Sequence, residues 1–278
     1  MYHLGSIGQT AGDAGAFTGH SEGYVRRTLI GRPSGSVHQE VVVAELAGGG
    51  SVAQHLHAFE EAFYVLEGRL TLEIAGSREE LAADHYAFID KGVAHALGNE
   101  SSELCRWFEV SAPQPGAALE DTVFVDGAAP TPEGAAPFRT GRFDPAELPP
   151  PSGTIGLAGF GAANVGGAAL KILVGADSGA SQLNLMVVQY APGGFITEHD
   201  HAFEEGFFFL EGEIEAELEG ELHALGAGDY CWSGVGSMHA LRSRSDAPVR
   251  WLETQVPQPP SRYQARFVAD WQRFLSGG

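Results

Sequence analysis

The chain has 278 residues and a formal net charge of −20 at pH 7, from 36 acidic and 16 basic side chains. This charge disfavours nucleic acid and anionic membrane surfaces as partners, and no apolar run approaches the ~20 residues of a membrane span. Residues 1–17 lack a basic segment followed by an apolar one, so no secretory signal is predicted and a cytoplasmic location is expected. Cys105 and Cys231 are expected to be reduced core thiols.

Short apolar segments bounded by glycine-containing turns predict strands along most of the chain. In the first half, the predicted strands cover residues 39–46, 62–66, 69–74 and 104–110. In the second half, they cover residues 183–190, 206–210, 213–218 and 230–232. The tail differs, because helical spacing of aromatic residues predicts a packing helix within residues 261–275. These residues are Tyr263, Phe267, Trp271 and Phe274.

The chain repeats itself at a separation of 144 residues, as from His55 to His199. The register holds without a gap between residues 31–115 and residues 175–259. Because chance does not maintain so long a register, the repeat predicts a duplicated domain. We expect a first barrel over residues 1–115, a Pro-, Gly- and Ala-rich connecting segment over 116–165, and a second barrel with the C-terminal helix over 166–278.

Each copy carries a candidate metal-binding set at equivalent positions. Two histidines one residue apart share a strand face, a glutamate follows after a short turn, and a third histidine arrives from a later strand. Three imidazoles and one carboxylate suit Fe, Mn, Ni, Cu or Zn. The predicted ligands are His55, His57, Glu61 and His95 in the first copy, and His199, His201, Glu205 and His239 in the second.

This pattern resembles the motifs of the cupin superfamily. The first motif, G-x5-H-x-H-x3-E-x6-G, stands complete as Gly49 to Gly68 and as Gly193 to Gly212. The second motif, G-x5-P-x-G-x2-H-x3-N, lacks its Pro in both copies and has Asp84 in place of its first Gly in copy one. These departures fall on turn positions rather than ligands. The resemblance implies an all-β bicupin: tandem double-stranded β-helix (jelly-roll) barrels, related by a pseudo-two-fold axis, with one divalent transition metal in each.

Strand alternation also predicts the lining of each site. Residues two and four positions after the ligand glutamate share its face, and so does the residue two positions after the third histidine. These residues predict an apolar, partly aromatic substrate pocket, although they would equally fill a barrel core. They are Phe63, Val65 and Leu97 in copy one, and Phe207, Phe209 and Leu241 in copy two. Glu60 and Glu204 are expected to face solvent or an interface, and Tyr64 and Phe208 to point away from the site.

The resemblance supports three functional hypotheses. The first is a dioxygenase similar to quercetinase-like bicupins, acting on an enolisable, apolar or aromatic molecule, with Glu205 or Glu61 as ligand or proton acceptor. The more aromatic second copy is then the main site. The second is a non-oxidative metal-dependent hydrolase or isomerase, similar to ureidoglycine aminohydrolase, although that family's Glu-His-His-Gln set differs from the set found here. The third is a non-catalytic small-molecule-binding bicupin. The expected partner is a small-molecule substrate, and a homodimer is left open.

Overall fold

A computed structural model describes residues 1–116, 121–127, 138–151, 164–260 and 264–268. Within these ranges the chain is almost entirely β-structure. The strands of the first half are β1 (Tyr2–Ser6), β2 (Ser21–Ile30), β3 (Glu40–His57), β4 (Glu60–Glu67), β5 (Arg69–Ile74), β6 (Ser77–Ala82), β7 (His85–Ile89), β8 (His95–Gly98), β9 (Cys105–Ala112), β10 (Thr122–Phe124) and β11 (Phe138–Arg142).

The second half repeats this series of strands. They are β12 (Val165–Val174), β13 (Asn184–Asp200), β14 (Glu204–Glu211), β15 (Glu213–Leu218), β16 (Glu221–Gly226), β17 (Asp229–Ser233), β18 (His239–Ser243), β19 (Val249–Val256) and β20 (Arg266–Phe267). Single 3-10 turns lie at Ile7–Gln9, Gly15–Phe17, Arg32–Ser34, Pro145–Glu147 and Ala176–Ser178. The described part of the chain contains no helix long and apolar enough to cross a membrane.

The two halves form two curled sheets with the same strand order. One sheet runs β11-β7-β4-β9-β3-β8-β5-β6, and the other runs β1-β17-β14-β19-β13-β18-β15-β16. In each, the longest strand also pairs with two further strands, β2 and β10 on β3 and β12 and β20 on β13. The predicted all-β fold of tandem jelly-roll barrels is therefore confirmed, and equal strand orders are what the ungapped repeat requires.

Two edge strands are exchanged between the repeats, since each precedes one repeat in the chain and pairs with the sheet of the other. The N-terminal β1 pairs antiparallel with β17 of the second sheet, and β11, from the predicted connecting segment, pairs antiparallel with β7 of the first sheet. Each exchange covers an edge that would otherwise expose unpaired backbone groups. The domain boundaries at residues 115 and 165 stay predictions, and strand pairing crosses both of them.

Three apolar clusters make up the core. One fills the interior of the first sheet, with Trp107 at its centre, and one fills the interior of the second, with Trp251. The third lies between the two sheets and draws side chains from both, such as Phe108 and Phe208, whose rings are 5.7 Å apart. Tyr64 joins this shared cluster, so Tyr64 and Phe208 do point away from the sites, into the contact between the barrels.

The glycines and the aspartate of the cupin-like motifs occupy turns that need a left-handed backbone. Gly68 has φ +77°, and a Cβ there would lie 2.3 Å from the Leu104 carbonyl oxygen. At the second motif, Asp84 keeps the left-handed conformation (φ 68°) of its counterpart Gly228 (φ 84°). Aspartate tolerates this region better than most residues, so the departure from the motif preserves the turn.

Within the segment predicted to be a C-terminal helix, the structure describes a short strand followed by a helical residue, Val268. Arg266–Phe267 form strand β20, which pairs with the end of β13 at His199 and Asp200. Arg266 reinforces the pairing by donating hydrogen bonds from Nε and Nη2 to the Asp200 carboxylate. The other three residues of the predicted helical pattern, Tyr263, Trp271 and Phe274, lie outside the described residues. Both cysteines are free and buried, as predicted.

Candidate metal centres

The ligand pairs lie at the ends of the two longest strands. His55 and His57 end β3, and the register with β8 shifts between Val52 and His55. The equivalent shift in β13 falls between Ile196 and His199. A bulge of this kind re-aims the side chains that follow it. The apolar side chains before the bulge and the histidines after it therefore both face the inside of the barrel. Without the bulge, strict alternation would place them on opposite faces of the strand.

The second site is closed and compact. The ligand atoms of His199, His201, Glu205 and His239 all lie within 4.8 Å of one another. Oε2 of Glu205 is 2.9 Å from Nε2 of His201 and 3.2 Å from Nε2 of His239. All four residues are buried, with at most 5% of any of them exposed. The structure therefore brings together the whole predicted set of the second copy.

The first site is assembled less tightly. The ligand atoms of His55, His57 and His95 lie within 4.8 Å of one another, and Glu61 is not part of this group. Glu61 nevertheless lies beside two of the histidines, with Oε2 3.2 Å from Nε2 of His95 and Oε1 3.8 Å from Nε2 of His57. The first copy thus presents three converging imidazoles with its carboxylate at one side.

Each histidine is oriented through its other ring nitrogen. Five of the six Nδ1 atoms lie 2.7–3.0 Å from backbone carbonyl oxygens of Ala53, Val93, Thr197, Phe203 and Ser237. The sixth, Nδ1 of His57, is 3.0 Å from the Thr122 hydroxyl on β10. An Nδ1–H that donates to a carbonyl leaves Nε2 unprotonated and facing the site, which is the arrangement found around metal-ligating histidines.

The atoms facing each site fit a bound metal ion. Nε2 of His57, His95 and His201 and Oε2 of Glu61 are buried without an aligned hydrogen-bond partner. Buried polar atoms without partners are rare and need an explanation. Two ligands bound at about 2.1 Å and at a right angle lie about 3 Å apart, close to the 2.9 and 3.2 Å separations around Glu205. The donor set is therefore suited to a divalent transition metal.

The charge states of three site histidines agree with this interpretation, whereas that of His201 reflects its contact with Glu205. Burial, followed by the neighbouring imidazoles, lowers the pKa of His55, His57 and His199 well below the usual value, which keeps their rings neutral. At His201, burial is outweighed by the charge of the Glu205 carboxylate, 2.9 Å away, so the pKa of His201 is raised. Burial is likewise outweighed at Glu205, where His201 and His239 hold the pKa well below its usual value.

A second buried carboxyl stands near each site, and the sequence analysis did not identify it. Glu253 accepts a hydrogen bond from Nε1 of Trp251 at 3.0 Å, and Glu109 accepts one from Nε1 of Trp107 at 3.0 Å. The signal was available, because Glu109 and Glu253 occupy equivalent positions of the 144-residue repeat, each two residues after a tryptophan. Burial, followed by the charge of the ligand glutamate, raises the pKa of Glu109 to about 8 and that of Glu253 well above its usual value.

The two copies differ in how the ligand glutamate is supported. Nε2 of Gln255 donates to Oε1 of Glu205 at 2.9 Å and to Oε1 of Glu253 at 3.2 Å, so one amide links the two carboxyls. The equivalent residue of the first copy is Ser111, whose side chain is too short to form this link. The link is thus found in the copy whose glutamate lies within the group of ligand atoms.

We expect metal-free protein to lose stability as the pH rises from 6.5 to 8, partly through Glu109. A carboxyl whose folded pKa is raised stabilises the fold below its unfolded pKa of 4.5, and this contribution is lost as the pH rises through the folded value of about 8. One such group changes the free energy of unfolding by about 2 kcal/mol over this interval. Urea denaturation in the presence of chelator should show that the free energy of unfolding depends less on pH in Glu109→Gln than in the wild-type protein. Equal pH dependence in the two proteins would contradict a raised pKa at Glu109.

A small pocket adjoins the second site. It has a volume of about 40 Å³, and three of the ligands, His199, Glu205 and His239, lie in its wall. Its remaining lining is mostly apolar, with Glu253 and Gln255 among the polar members. The lining residues beyond the ligands are Val165, Ala168, Leu170, Val188, Tyr190, Ile196, Phe207, Leu241, Trp251, Glu253 and Gln255.

The predicted substrate-binding residues occupy different places. Phe207 and Leu241 line this pocket, whereas Phe209 lies in the same interior cluster with its ring 6.0 Å from that of Trp251. In the first barrel, the three corresponding residues all belong to the interior cluster. They are Phe63, Val65 and Leu97. Tyr24 of that cluster stands at the position that Ala168 holds in the second copy. The second copy has its tyrosine on the paired strand instead, as Tyr190, where the first copy has Leu46.

We expect one divalent ion in each barrel of protein purified without chelator, with tighter binding at the second site. The physical reason is that Glu205 is already held among its three histidines, whereas Glu61 must move to complete the first set. Metal content measured by plasma mass spectrometry, with and without dialysis against a chelator, checks this. Glu61→Gln should reduce occupancy less than Glu205→Gln, and the reverse order would contradict the prediction.

Fold and site together define a class of protein: a duplicated β-barrel protein with a candidate metal-binding His/Glu group in each barrel. The comparison with known families agrees. The profile of the cupin domain (Cupin_2) matches residues 42–111 and 186–254, once in each repeat. The chain therefore belongs to the cupin family, as its motifs indicated.

Two similar curated proteins come from Streptomyces. The tetracenomycin polyketide synthase protein TcmJ of Streptomyces glaucescens is 31% identical over 118 residues, covering 41% of this chain and 79% of TcmJ. Polyketide synthase CurC of Streptomyces cyaneus is 32% identical over 90 residues, covering 32% of this chain and 56% of CurC. Among solved structures, oxalate decarboxylase of Lactobacillus farciminis superposes with a TM-score of 0.69 at 16% identity, over 98% of this chain and 90% of that one. This likeness shows the shared fold alone.

Proposed function

We propose that the protein is a metal-dependent dioxygenase that cleaves an enolisable, apolar or partly aromatic small molecule at the second site. The observation that carries the proposal is the convergence of four buried ligands on a pocket with a largely apolar wall. A divalent transition metal (Fe, Mn, Ni, Cu or Zn) held by His199, His201, Glu205 and His239 would supply a Lewis acid and a template for the substrate and dioxygen.

The residues of the chain have distinct roles in this proposal. Phe207 and Leu241 bury the apolar body of the substrate and exclude water from the site. Glu205 either stays a ligand or accepts the proton that the substrate loses on enolisation. Gln255 holds one carboxylate oxygen of Glu205 at 2.9 Å, so the other oxygen is directed toward the histidines. Glu61 would have the same role at the first site.

The relatives are consistent with an enolisable substrate. TcmJ and CurC are both named as polyketide synthase proteins. Polyketide chains carry β-ketone units, which enolise and chelate metal ions through two oxygens. A ligand of this class would use the metal for its oxygens and the apolar wall for its carbon skeleton. Because the pocket has a volume of only about 40 Å³, it must widen to admit such a ligand.

A non-oxidative hydrolase or isomerase is the second candidate, and Glu253 is the observation that favours it. Glu253 and Glu205 both line the pocket. Two neighbouring carboxyls whose pKa values differ can serve as a general acid and a general base. In that case, the substrate would be rearranged or hydrolysed without consumption of oxygen.

Oxygen uptake separates these candidates. Protein loaded in turn with each of the five metals is mixed with a panel of flavonols, β-diketones and catechol-like enols in an oxygen electrode. Stoichiometric uptake with loss of the enol absorbance supports the dioxygenase. No uptake with any metal, together with substrate isomerisation or ammonia release from ureides, would support the second candidate. Binding without any turnover would leave a non-catalytic binding protein.

A further inference from the structure

Strand β10 covers one side of the first site. It pairs antiparallel with the end of β3, with Thr122 opposite His57 and Phe124 opposite His55. Side chains directly opposite each other on paired strands lie on the same face of the sheet. Thr122 and Phe124 are therefore directed to the face that carries the two predicted ligands. The ring of Phe124 lies 5.7 Å from that of His55 and stacks on that of His20 at 3.7 Å.

Among the six predicted ligand histidines, His57 differs in the partner of its Nδ1. That atom is 3.0 Å from Oγ1 of Thr122, whereas Nδ1 of His201 is 2.8 Å from the carbonyl oxygen of Phe203. A hydroxyl can accept from Nδ1–H as a carbonyl does, and the bond then directs Nε2 of His57 into the site. The orientation of His201 is thus fixed within its own turn, while that of His57 depends on a separate strand.

That separate strand is short. Strand β10 has three residues, and the middle one, Val123, is 48% exposed. The backbone bonds at its two ends run from Ala58 N to the carbonyl oxygen of Asp121, at 2.8 Å, and from Val125 N to that of Gln54, at 3.0 Å. Segments with few buried contacts open at low cost in free energy. A modest change at the first site is therefore sufficient to shift the docking of β10.

We propose that Thr122 is a positioning residue of the first metal site, and that it couples binding of the ion to docking of β10. With β10 docked, Thr122 holds the ring of His57 with Nε2 directed into the site. With β10 released, the ring loses this partner and turns, so the ion is bound less tightly. Coupling of this kind is reciprocal, and the ion stabilises docked β10 by the same factor. The inference concerns the first site and goes beyond the reaction proposed for the second.

Zinc titration against a chromophoric chelator tests the affinity. A background of His201→Ala removes a ligand of the second site, so that zinc binding reports on the first. Thr122→Val keeps the shape of the side chain and removes the hydroxyl, and we expect it to lower the zinc affinity at least about tenfold. Thr122→Ser restores the hydroxyl and should bind zinc nearly as tightly as the background protein.

The neighbouring position supplies a matched control. Val123→Thr makes the reverse exchange of methyl and hydroxyl on the same strand, at a side chain that is 48% exposed. Because alternation directs residue 123 away from His57, this variant should bind zinc as the background protein does.

Hydrogen exchange measures the coupling itself. The N–H of Val125, which donates to Gln54, reports local opening at β10. Zinc should slow its exchange in the background protein, and this slowing should be about tenfold smaller in Thr122→Val, as reciprocity requires. A hydroxyl that served only to hold β10 in place would change the exchange rates with and without zinc equally, and would leave their ratio unaltered.

Two results of the titration overturn the inference. One is a loss of zinc affinity in Thr122→Val of less than about threefold, well below the range for a residue that orients a ligand. The other is an equal loss in Thr122→Ser. Where Thr122→Val does not fold, the N–H of Val125 decides, because equal exchange with and without zinc in the background protein also overturns the inference. None of these measurements involves turnover, so absent oxygen uptake in the wild-type protein, the failure of the proposed function, is a separate result.

Discussion

Replacing His201 with Ala should lower turnover more than about 100-fold, whereas replacing His57 with Ala should cost less than about tenfold. Loss of a partner that merely orients a metal ligand costs 10–100-fold in affinity or activity, so loss of the ligand itself should cost more. His201 has the closest contact with the ligand carboxylate, 2.9 Å to Glu205, and it belongs to the complete set of four. The measurement is the steady-state rate of oxygen uptake with the best substrate of the panel.

The duplication supplies the control for this experiment, because His57 is the exact positional equivalent of His201. Both residues are buried, at 4% and 2% exposure, so the two substitutions disturb their barrels to a similar extent. Metal content should fall by one ion in each variant, measured alongside activity. A larger loss of activity in His57→Ala would place the main site in the first barrel instead. Small losses of activity in both variants would show that the reaction does not depend on a bound metal ion.

The repeat made much of the fold predictable. Strands β5 and β15 occur residue for residue where turns and apolar character predicted them, and the histidines converge as their strand positions required. The exchange of β1 and β11 was not predictable in this way. Pairing of an edge strand depends on which free edge lies nearby in three dimensions, and no local pattern in Tyr2–Ser6 records that. Propensity is readily overridden by such tertiary context.

The structure of the tail and the place of Glu253 beside the site could be established only from the three-dimensional structure, for different reasons. Helical spacing in the tail was misleading at Arg266–Phe267, because pairing with the end of β13 satisfies backbone groups there. The acid at Glu253 was visible as a repeated charge in an apolar strand, but its place beside the site depends on β19 lying between β14 and β13. The exchange of Ser111 for Gln255 is also plain in the sequence. Its consequence for the ligand carboxylate follows only from the 2.9 Å contact with Glu205.

Replacing Glu204 with Ala should lower the free energy of unfolding by about 3 kcal/mol, because it removes the acceptor of four hydrogen bonds, two of them donated by the buried side chains of Ser36 and Trp232. Glu204 is 1% exposed, and its carboxylate accepts hydrogen bonds from the loop of the other barrel. The donors are Ser36 Oγ at 2.6 Å, Val37 N at 2.9 Å and His38 N at 3.3 Å, joined by Trp232 Nε1 at 3.3 Å.

The first copy reciprocates this contact, since Glu60 accepts from the backbone N–H groups of Ser181 and Gln182 at 2.9 Å. The residue before each predicted ligand glutamate thus faces the contact between the barrels, which leaves Glu61 and Glu205 on the opposite face of their strands, toward the histidines of the candidate metal centres. Urea denaturation of Glu204→Ala and Glu60→Ala should show comparable losses, while the exposed Glu213→Ala should change stability by no more than about 0.5 kcal/mol. Equal stability of Glu204→Ala and Glu213→Ala would show that these bonds do not hold the two barrels together.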